Sequence, residues 1–247
     1  RPTSRAYIEN LFTERTELHG DRKYADDPAI IGGIGYLGDI PVTFIGIERG
    51  RDLQERIRCN FGCPMPEGYR KALRLMKQAE KFHRPVICFV DTSGAYCGEE
   101  AEERGQGQAI ADNLMQMMGL ETPIITIVIG EGGSGGALGL SVANRVYMLE
   151  NAVFSVISPE GCASILWEDA SKAADAAECL KITAEDMKRF GVAEDVIEEN
   201  FDSFDVMCED LKARLLSDVQ ELEQYSGRVL SEKRYERFRK LGVYSEK

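Results

Sequence analysis

The sequence predicts an α/β fold with a ligand site at one edge of its sheet, and three observations support this prediction. Apolar, β-branched runs of strand length alternate with segments of helical periodicity through the middle of the chain. Two consecutive predicted strands, at residues 85–90 and 124–129, each run into a glycine-bearing turn. In α/β sheets ligands bind at the C-terminal ends of the strands, so we expect the two turns to face one site.

The first half of the chain begins with a predicted helix, in which Tyr7, Ile8, Leu11 and Phe12 share one apolar face. Two β-branched runs on either side of Gly38-Asp39 then predict a hairpin. The predicted elements are, in order, a helix at 3–18, strands at 29–37 and 40–48, a loop at 49–66, a helix at 67–82 and a strand at 85–90.

The second half continues the alternation and ends in helices. Ser158 before Pro159 predicts the start of one helix, and Thr183 with Asp186 three residues later predicts another. The predicted elements are a helix at 101–118, a strand at 124–129, a short buried helix at 137–143, strands at 146–149 and 153–157, helices from 159 and from 184, a strand at 192–197, a long amphipathic helix ending at 224 and a charged final helix.

The length of 247 residues suits one large domain, and no repeat, low-complexity tract or linker divides it. We therefore predict a single domain over residues 1–247. Its core is expected at about 25–200, with the N-terminal helix at 3–18 and a helical extension at about 202–247. Because the chain starts at Arg1 without a methionine, we expect it to be part of a longer protein.

Five of the seven residues 130–136 are glycines, and they connect a strand to a short apolar segment. Glycine allows positive φ and close approach to the backbone, and a helix start presents N–H groups that can bind developing negative charge. A tight strand-to-helix crossover without function is the simpler alternative. The spacing Gly130-x-Gly132-x-x-Gly135 also matches a dinucleotide fingerprint, although more than 100 residues precede it and that fingerprint normally opens a domain.

The net charge of −12 argues against a nucleic-acid binder, but the charge is unevenly distributed. Ten Lys or Arg residues and four Asp or Glu residues lie between Arg49 and Arg84. This basic tract therefore carries a local charge of +6, and the rest of the chain carries −18. The basic tract is either a solvated face or a means of steering an anionic substrate, for which Arg70, Lys71 and Arg74 are the candidate contacts.

The sequence also constrains location and metal binding. No apolar run reaches the roughly 18 residues of a membrane span, so no membrane association is predicted. The seven cysteines are scattered and odd in number, which favours free thiols in the cytoplasm. No cysteine or histidine pairs have zinc-ligand spacing, so we predict no metal site on this chain.

Five segments closely resemble one known family, the α subunit of the bacterial acetyl-CoA carboxylase carboxyltransferase. They are, in chain order, Asn60-Phe-Gly-Cys-Pro-Met-Pro-Glu-Gly-Tyr-Arg-Lys-Ala-Leu-Arg74, Asp91-Thr-Ser-Gly-Ala-Tyr96, Ala101-Glu-Glu-Arg-Gly-Gln106, Gly130-Glu-Gly-Gly-Ser-Gly-Gly-Ala137 and Ser155-Val-Ile-Ser-Pro-Glu-Gly-Cys-Ala-Ser-Ile-Leu-Trp167. The resemblance extends from about residue 7 to about residue 197. It implies a crotonase-like fold of repeated ββα units, which the predicted C-terminal helices follow.

The resemblance also implies an activity and partners. The family transfers the carboxyl group of carboxybiotin, held on a biotin carboxyl carrier protein, to acetyl-CoA, which gives malonyl-CoA in the first committed step of fatty-acid biosynthesis. It implies a β chain of related fold, an α2β2 assembly and biotin carboxylase as a further partner. The zinc of the family is expected on the β chain, and biotin is not expected to be attached to this chain. The alternative within this class is transfer to, or decarboxylation of, another acyl-CoA.

The resemblance assigns the backbone N–H groups of Gly136, Ala137 and Ala95 to an oxyanion hole for the ureido oxygen of biotin. The loop residues that it implies for biotin or substrate binding are Gly94, Tyr96, Gly132, Gly133, Ser134 and Gly135. The turn at 91–98 has Ser93 and Cys97 where the family usually has proline. Glu99 and Glu100 follow this turn, where small or apolar residues are commoner in the family.

Several alternatives stay open from the sequence alone. Cys97 or Cys162 could serve as a nucleophile, although free cysteine more often packs inertly. Glu131 could act as an acid or base, or it could shape the glycine turn by hydrogen bonding. The chain could also be a stand-alone crotonase-type hydratase or isomerase, or a non-catalytic subunit that braces a partner.

Overall fold

The chain forms one mixed sheet with helices between its strands and at its C-terminal end. The computed structural model describes residues 1–242. The helices within these residues are α1 (Ser4–Leu11), α2 (Leu53–Arg58), α3 (Pro66–Lys81), α4 (Glu99–Glu103), α5 (Gln106–Gly119), α6 (Ser134–Leu138), α7 (Pro159–Trp167), α8 (Ala173–Leu180), α9 (Ala184–Arg189), α10 (Phe204–Leu222) and α11 (Gly227–Arg239). The strands are β1 (Thr13–Glu17), β2 (Ile30–Leu37), β3 (Ile40–Ile47), β4 (Val86–Thr92), β5 (Ile124–Gly133), β6 (Arg145–Leu149), β7 (Val153–Ser155) and β8 (Asp195–Ile197).

The sheet has the strand order β1-β2-β3-β4-β5-β6-β8, and β7 pairs with β5 outside this path. β1, β2 and β3 pair antiparallel, whereas the pairs from β3 to β8 are parallel. β4 is buried along its whole length and β5 along most of it, which is typical of strands that are covered on both faces. The C-terminal ends of β4 and β5 therefore lie side by side at one edge of the sheet.

Strand β5 extends four residues beyond its predicted end at Ile129, so part of the predicted glycine turn is strand. Its register with β4 shifts between the pairs Val90–Val128 and Thr92–Gly132. Beyond this shift, residues 131–133 leave β6 and pair with β7. A Cβ on Gly132 would overlap the ring of Phe154 in β7, so glycine is needed where the two strands approach.

The predicted N-terminal helix at 3–18 is correct only as far as Leu11. Residues Thr13–Glu17 instead form the exposed edge strand β1, which pairs antiparallel with β2. The carbonyl of Thr16 approaches Gly33 so closely that a Cβ there would overlap it. Pairing with β2, which has Gly33 at the contact, thus overrides the helical pattern of residues 13–17. Such a sequence pattern gives only a weak preference for helix.

Two further predictions for the first half need correction. The helix predicted at 101–118 is divided into α4 and α5, because Gly105 between them has a left-handed φ of +81°. The loop predicted at 49–66 contains the short helix α2. Asp52 caps the N-terminus of this helix by accepting a hydrogen bond from the N–H of Glu55.

Other elements form as the sequence predicts. The hairpin of β2 and β3 turns at Gly38, which has a φ of +59°. Helix α3 begins and ends one residue before the helix predicted at 67–82. Ser158 caps α7, and Thr183 caps α9 by accepting from the N–H of Asp186. The strand predicted at 192–197 is shorter, since only Asp195–Ile197 pairs with β6.

The main core cluster includes both ends of the described chain. Tyr7 of α1 stacks on Phe89 of β4 with ring centroids 5.8 Å apart, and Phe12, just after α1, stacks on Phe44 of β3 at 5.5 Å. At the other end, the apolar face of α10 packs into the same cluster and against α1. Within the predicted helical extension at 202–247, residues 243–247 lie outside the described part.

Helix α11 is held to the core by a buried arginine rather than by apolar contacts alone. The guanidinium of Arg234 donates to the carbonyls of Met117, Leu120 and Thr122 and to the side chain of Asn144. These carbonyls lie at and just beyond the C-terminus of α5, where the helix leaves its last carbonyls without intrahelical partners. Burial lowers the pKa of Arg234 to about 10.

Candidate functional site

The two glycine-bearing turns meet at the C-terminal ends of β4 and β5. A Cβ built on Gly136 would lie 2.5 Å from the backbone nitrogen of Ala95 and 2.7 Å from the carbonyl carbon of Gly94. A Cβ on Gly133 would overlap the carbonyl of Ser93. Only glycine fits at both contacts, so the structure brings the two turns into one unit, as their positions after neighbouring strands predict.

The helix after the glycine turn begins earlier than predicted. Helix α6 spans Ser134–Leu138, whereas the sequence predicts a helix at 137–143. Ser134 has a left-handed φ of +52°, so the right-handed backbone starts at Gly135. Gly136 and Ala137 then lie in the first turn, where N–H groups lack acceptors within the helix. These are two of the three residues that the resemblance assigns to an oxyanion hole.

The third residue, Ala95, is in the turn after β4 and is adjacent to Gly136. Gly94 before it has a φ of +152°, a value that favours glycine. Tyr96 after it is fixed through its backbone, because its N–H donates to the carbonyl of Pro64 at 3.0 Å. Loop residues on both sides of Ala95 are thus constrained, and its N–H lies next to the first turn of α6.

A buried carboxylate ties the ends of β4 and β5 together beneath the turns. The Asp91 side chain is only 4% exposed and accepts from the Arg1 guanidinium at 2.7 Å and from Arg49 at 3.3 Å. It also accepts from the N–H of Glu131 at 2.9 Å. The sequence shows Asp91 only as the first residue of a turn, so its bridging role was missed.

Glu131 is engaged in ion pairs. Its carboxylate lies 2.9 Å from Arg49 and 3.9 Å from Arg1. These contacts hold the carboxylate against the two guanidinium groups near the end of β5. The structure therefore favours the interpretation that Glu131 shapes the glycine turn over the interpretation that it is an acid or base.

A cavity of about 270 Å³ opens beside the glycine turn. It lies between residues 131–134 on one side and residues 153–160, which include β7 and the start of α7, on the other. Val156 lines this cavity and is exposed, and α7 also exposes Ile165 and Leu166. Exposed large apolar side chains within one short segment are typical of a surface that another molecule covers.

The structure places the three predicted anion contacts of the basic tract in bonds within the chain. Arg70 forms ion pairs with Asp21 at 2.7 Å and Glu67 at 3.2 Å. Lys71 is 1% exposed and donates to the side chain of Asp26 at 2.5 Å and to a backbone carbonyl at 2.8 Å. Arg74 donates to the carbonyls of residues 19 and 20. Together they anchor the loop at 19–27.

The cysteines near the site differ in their surroundings. Cys162 is buried in a small apolar cluster with Ala163 and Ala176. Cys97 is exposed at the end of the turn after β4. All seven cysteines are free. The packing of Cys162 favours a structural role for that residue.

Neither a membrane-spanning helix nor a metal-ligand group is found in the described residues. Across residues 1–242 there is no helix with the length and apolarity needed to cross a membrane. Over the same residues no group of three or more His, Cys, Asp or Glu side chains is placed to hold a metal ion.

Comparison with protein families decides the relationship of the chain. Residues 1–242 match the family described as acetyl co-enzyme A carboxylase carboxyltransferase-like. The chain belongs to this family. The resemblance read from the five sequence segments is therefore confirmed, and the match extends beyond residue 197 into the C-terminal helices.

Two relatives illustrate the range of the family. The chain is 57% identical to an acetyl-coenzyme A carboxylase carboxyl transferase subunit alpha from Ruminiclostridium cellulolyticum, over 100% of this chain and 95% of the relative. It is 55% identical to a protein of Clostridium tetani named as subunits beta/alpha, over 100% of this chain and 44% of that protein. The second relative therefore contains more than twice the matched length.

Solved structures share the fold. The chain superposes on a crystal structure of transcarboxylase 12S with methylmalonyl-coenzyme A and methylmalonic acid bound, with a TM-score of 0.74 and 19% identity. The superposition covers 89% of this chain and 41% of the transcarboxylase chain, so the chain spans about two fifths of that protein. The predicted crotonase-like α/β fold is confirmed by this likeness.

Proposed function

We propose that the chain acts as the α subunit of an acetyl-CoA carboxylase carboxyltransferase and transfers the carboxyl group of carboxybiotin to acetyl-CoA, giving malonyl-CoA for fatty-acid biosynthesis. The observation that carries this proposal is the contact of the two glycine turns. In a member of this family, a Cβ on Gly136 would lie 2.5 Å from the nitrogen of Ala95, and this close approach of the two segments supports a site built from N–H groups of both.

The residues present fit the ureido group of biotin. Carboxybiotin would supply the carboxyl group when it is bound and, through its ureido nitrogen, would take up the proton that the acetyl methyl group loses; its ureido oxygen is where negative charge would develop. In our proposal the N–H groups of Ala95, Gly136 and Ala137 donate to this oxygen. Preorganised N–H donors of this kind stabilise developing charge without reorganisation, and removing one typically lowers the rate by ~10²–10³.

The loop residues have supporting roles in this proposal. The backbone of Gly94 and Tyr96 and of residues 132–135 would border the ureido group. Close approach of a planar ligand to this backbone is possible because few side chains project there. No side-chain base is assigned, and the ion pairs of Glu131 support that choice.

A β chain is the partner that would complete the site. The naming of the Clostridium tetani relative as subunits beta/alpha supports a β partner. The cavity beside residues 131–134 supports contact with the β chain at this edge of the sheet. The exposed apolar side chains of Val156, Ile165 and Leu166 support it too. We propose an α2β2 assembly, a zinc module on the β chain, and a biotin carboxyl carrier protein and biotin carboxylase as further partners. The free cysteines support a cytoplasmic location.

The test is to purify the chain with and without a β chain and to measure malonyl-CoA formation from acetyl-CoA and the carboxylated carrier. We expect transfer only by the assembled pair. Efficient transfer by the single chain would overturn the need for a partner, and absence of transfer by a verified pair would overturn the activity. Hydration of an unsaturated acyl-CoA by the single chain would instead support the stand-alone hydratase.

A further inference from the structure

The N–H groups of Ala95 and Ala137 each follow a glycine carbonyl that accepts a hydrogen bond from a buried side-chain hydroxyl. Within residues 1–242 no peptide bond is cis. In a trans peptide unit the carbonyl and the following N–H point in opposite directions and move together. The orientation of the Ala95 N–H is therefore set by the carbonyl of Gly94, and that of the Ala137 N–H by the carbonyl of Gly136.

The carbonyl of Gly94 is held by a threonine. The hydroxyl of Thr92 donates to this carbonyl at 2.8 Å and accepts from the N–H of Gly94 at 3.0 Å. Thr92 is the last residue of β4 and is completely buried, so the sheet fixes its position. Both polar groups of the hydroxyl are thus used to orient the turn that carries Ala95.

The carbonyl of Gly136 is held by a tyrosine from a different part of the chain. The hydroxyl of Tyr69 in α3 donates to this carbonyl at 3.0 Å. Tyr69 is completely buried, and a Cβ on Gly139 would lie 2.9 Å from its ring, so the ring has little freedom. Burial raises the pKa of Tyr69 well above its ordinary value, so the hydroxyl keeps the proton that it donates.

Both held carbonyls belong to glycines, the residues whose neighbouring peptide units rotate most freely. The close contact of the two turns requires glycine at 136, and the φ of +152° favours glycine at 94. The same residues that permit the contact therefore leave both donor peptide units free to rotate. A hydroxyl behind each carbonyl removes this freedom, and it also polarises the peptide and strengthens the N–H as a donor.

We infer that Tyr69 and Thr92 are positioning residues, whose hydroxyls fix the direction of the Ala137 and Ala95 N–H groups from the side opposite the ligand. This inference rests on the proposed function for its catalytic consequence, whereas its structural consequence can be measured without turnover. Neither side chain contacts the reacting atoms.

Activity of the assembled α and β chains provides the first readout. Tyr69→Phe and Thr92→Val each delete one hydroxyl with little change of shape. We expect each to lower kcat about tenfold, less than the loss of a whole donor, and to leave the KM for acetyl-CoA within about twofold. Thr92→Ser keeps the hydroxyl and should retain kcat within about threefold.

The matched control is Tyr147→Phe. Tyr147 is also buried, and its hydroxyl donates to Asp218 at 2.7 Å near the C-terminal helices. Its loss removes a hydrogen bond of the same kind, so it should lower stability while kcat stays within about twofold. The inference is overturned if Tyr69→Phe and Thr92→Val also keep kcat within that range, or if Tyr147→Phe lowers kcat equally.

Amide hydrogen exchange of the same complexes provides the second readout, which does not depend on turnover. We expect about fivefold faster exchange at Ala137 in Tyr69→Phe and at Ala95 in Thr92→Val, as for the loss of one hydrogen bond. Unchanged exchange at both residues overturns the inference. If the wild-type pair is inactive but exchange responds as expected, the proposed function fails and the positioning of the two N–H groups stands.

Discussion

The glycine turns carry the backbone N–H groups that we propose as donors to a ligand, whereas Arg70, Lys71 and Arg74 of the basic tract use their side-chain donors inside the molecule. At the turns, the hydroxyls of Tyr69 and Thr92 hold the glycine carbonyls. The N–H group of each of these peptide units therefore points away from the hydroxyl. In the basic tract, Arg70 and Lys71 are themselves the anchors, and they hold the loop at 19–27 against α3.

The difference shows that a formal positive charge does not by itself leave a donor available to an anion. Arg70 bonds to Asp21 and Glu67, whose carboxylates are buried and need a positive partner. The glycine turns carry no formal positive charge, but helix N-termini and aligned N–H groups attract negative charge. Changes in the basic tract should therefore alter stability alone, and changes at the turns should alter activity.

The largest effect on stability is expected from Arg70→Met. This change removes the guanidinium partner of the buried Asp21 carboxylate and leaves Glu67 paired with Arg104 alone, so the free energy of unfolding should fall by about 3–5 kcal/mol. The KM for acetyl-CoA in the surviving folded enzyme should stay unchanged, as measured by steady-state kinetics below the melting temperature. Arg58→Met removes the same charge from an exposed position of the tract and serves as the control. A raised KM in Arg70→Met alone would restore the anion-binding role.

A smaller effect on stability, together with an effect on activity, is expected from Asp91→Asn. The amide carries no negative charge, and its NH2 group takes the place of the Oδ2 that accepts from the Nε of Arg1 at 3.3 Å, so the free energy of unfolding should fall by about 1.5–3 kcal/mol. The end of β5 then loses an anchor, and kcat should fall about tenfold. Asp39→Asn at the exposed hairpin turn is the matched control. Normal kcat with reduced stability would show that the bridge does not support the site.

The smallest effects are expected from Cys97→Ser and Cys162→Ala. The proposed mechanism uses no thiolate, so each variant should keep kcat within about twofold. Thermal melting would separate any packing defect at the buried Cys162 from a loss of chemistry. A folded variant whose kcat falls about a thousandfold would instead establish nucleophilic catalysis by that cysteine.

The sequence predicts best where the determining contacts are local. The hairpin follows from Gly38-Asp39, and α7 and α9 follow from capping residues within three positions. Strand β1 was missed because its residues are all exposed and its partner Gly33 is distant in sequence. The break at Gly105 was missed because glycine also occurs inside helices, and the sequence does not show its φ.

The candidate site follows the same rule. The two turns could be placed together because each follows a strand of one sheet, and the family segments point to the same residues. The partners of Arg70 and Lys71 lie 49 and 45 residues away in sequence, so the sequence showed their charges but not their bonds. The bond from Tyr69 to Gly136 spans 67 residues, and no local pattern indicates it.

The contact of the two turns can be tested by comparing Gly136→Ala with Gly107→Ala in the assembled enzyme. The new Cβ would lie 2.5 Å from the nitrogen of Ala95 in the first variant, but in the second, within α5, it would meet no atom within 4 Å. Both variants add one methyl group to a helix, and co-purification with the β chain verifies assembly. We expect kcat to fall by ~10² or more in Gly136→Ala and to stay within about threefold in Gly107→Ala. Equal kcat values in two folded, assembled variants would contradict a site built from the contact of the two turns.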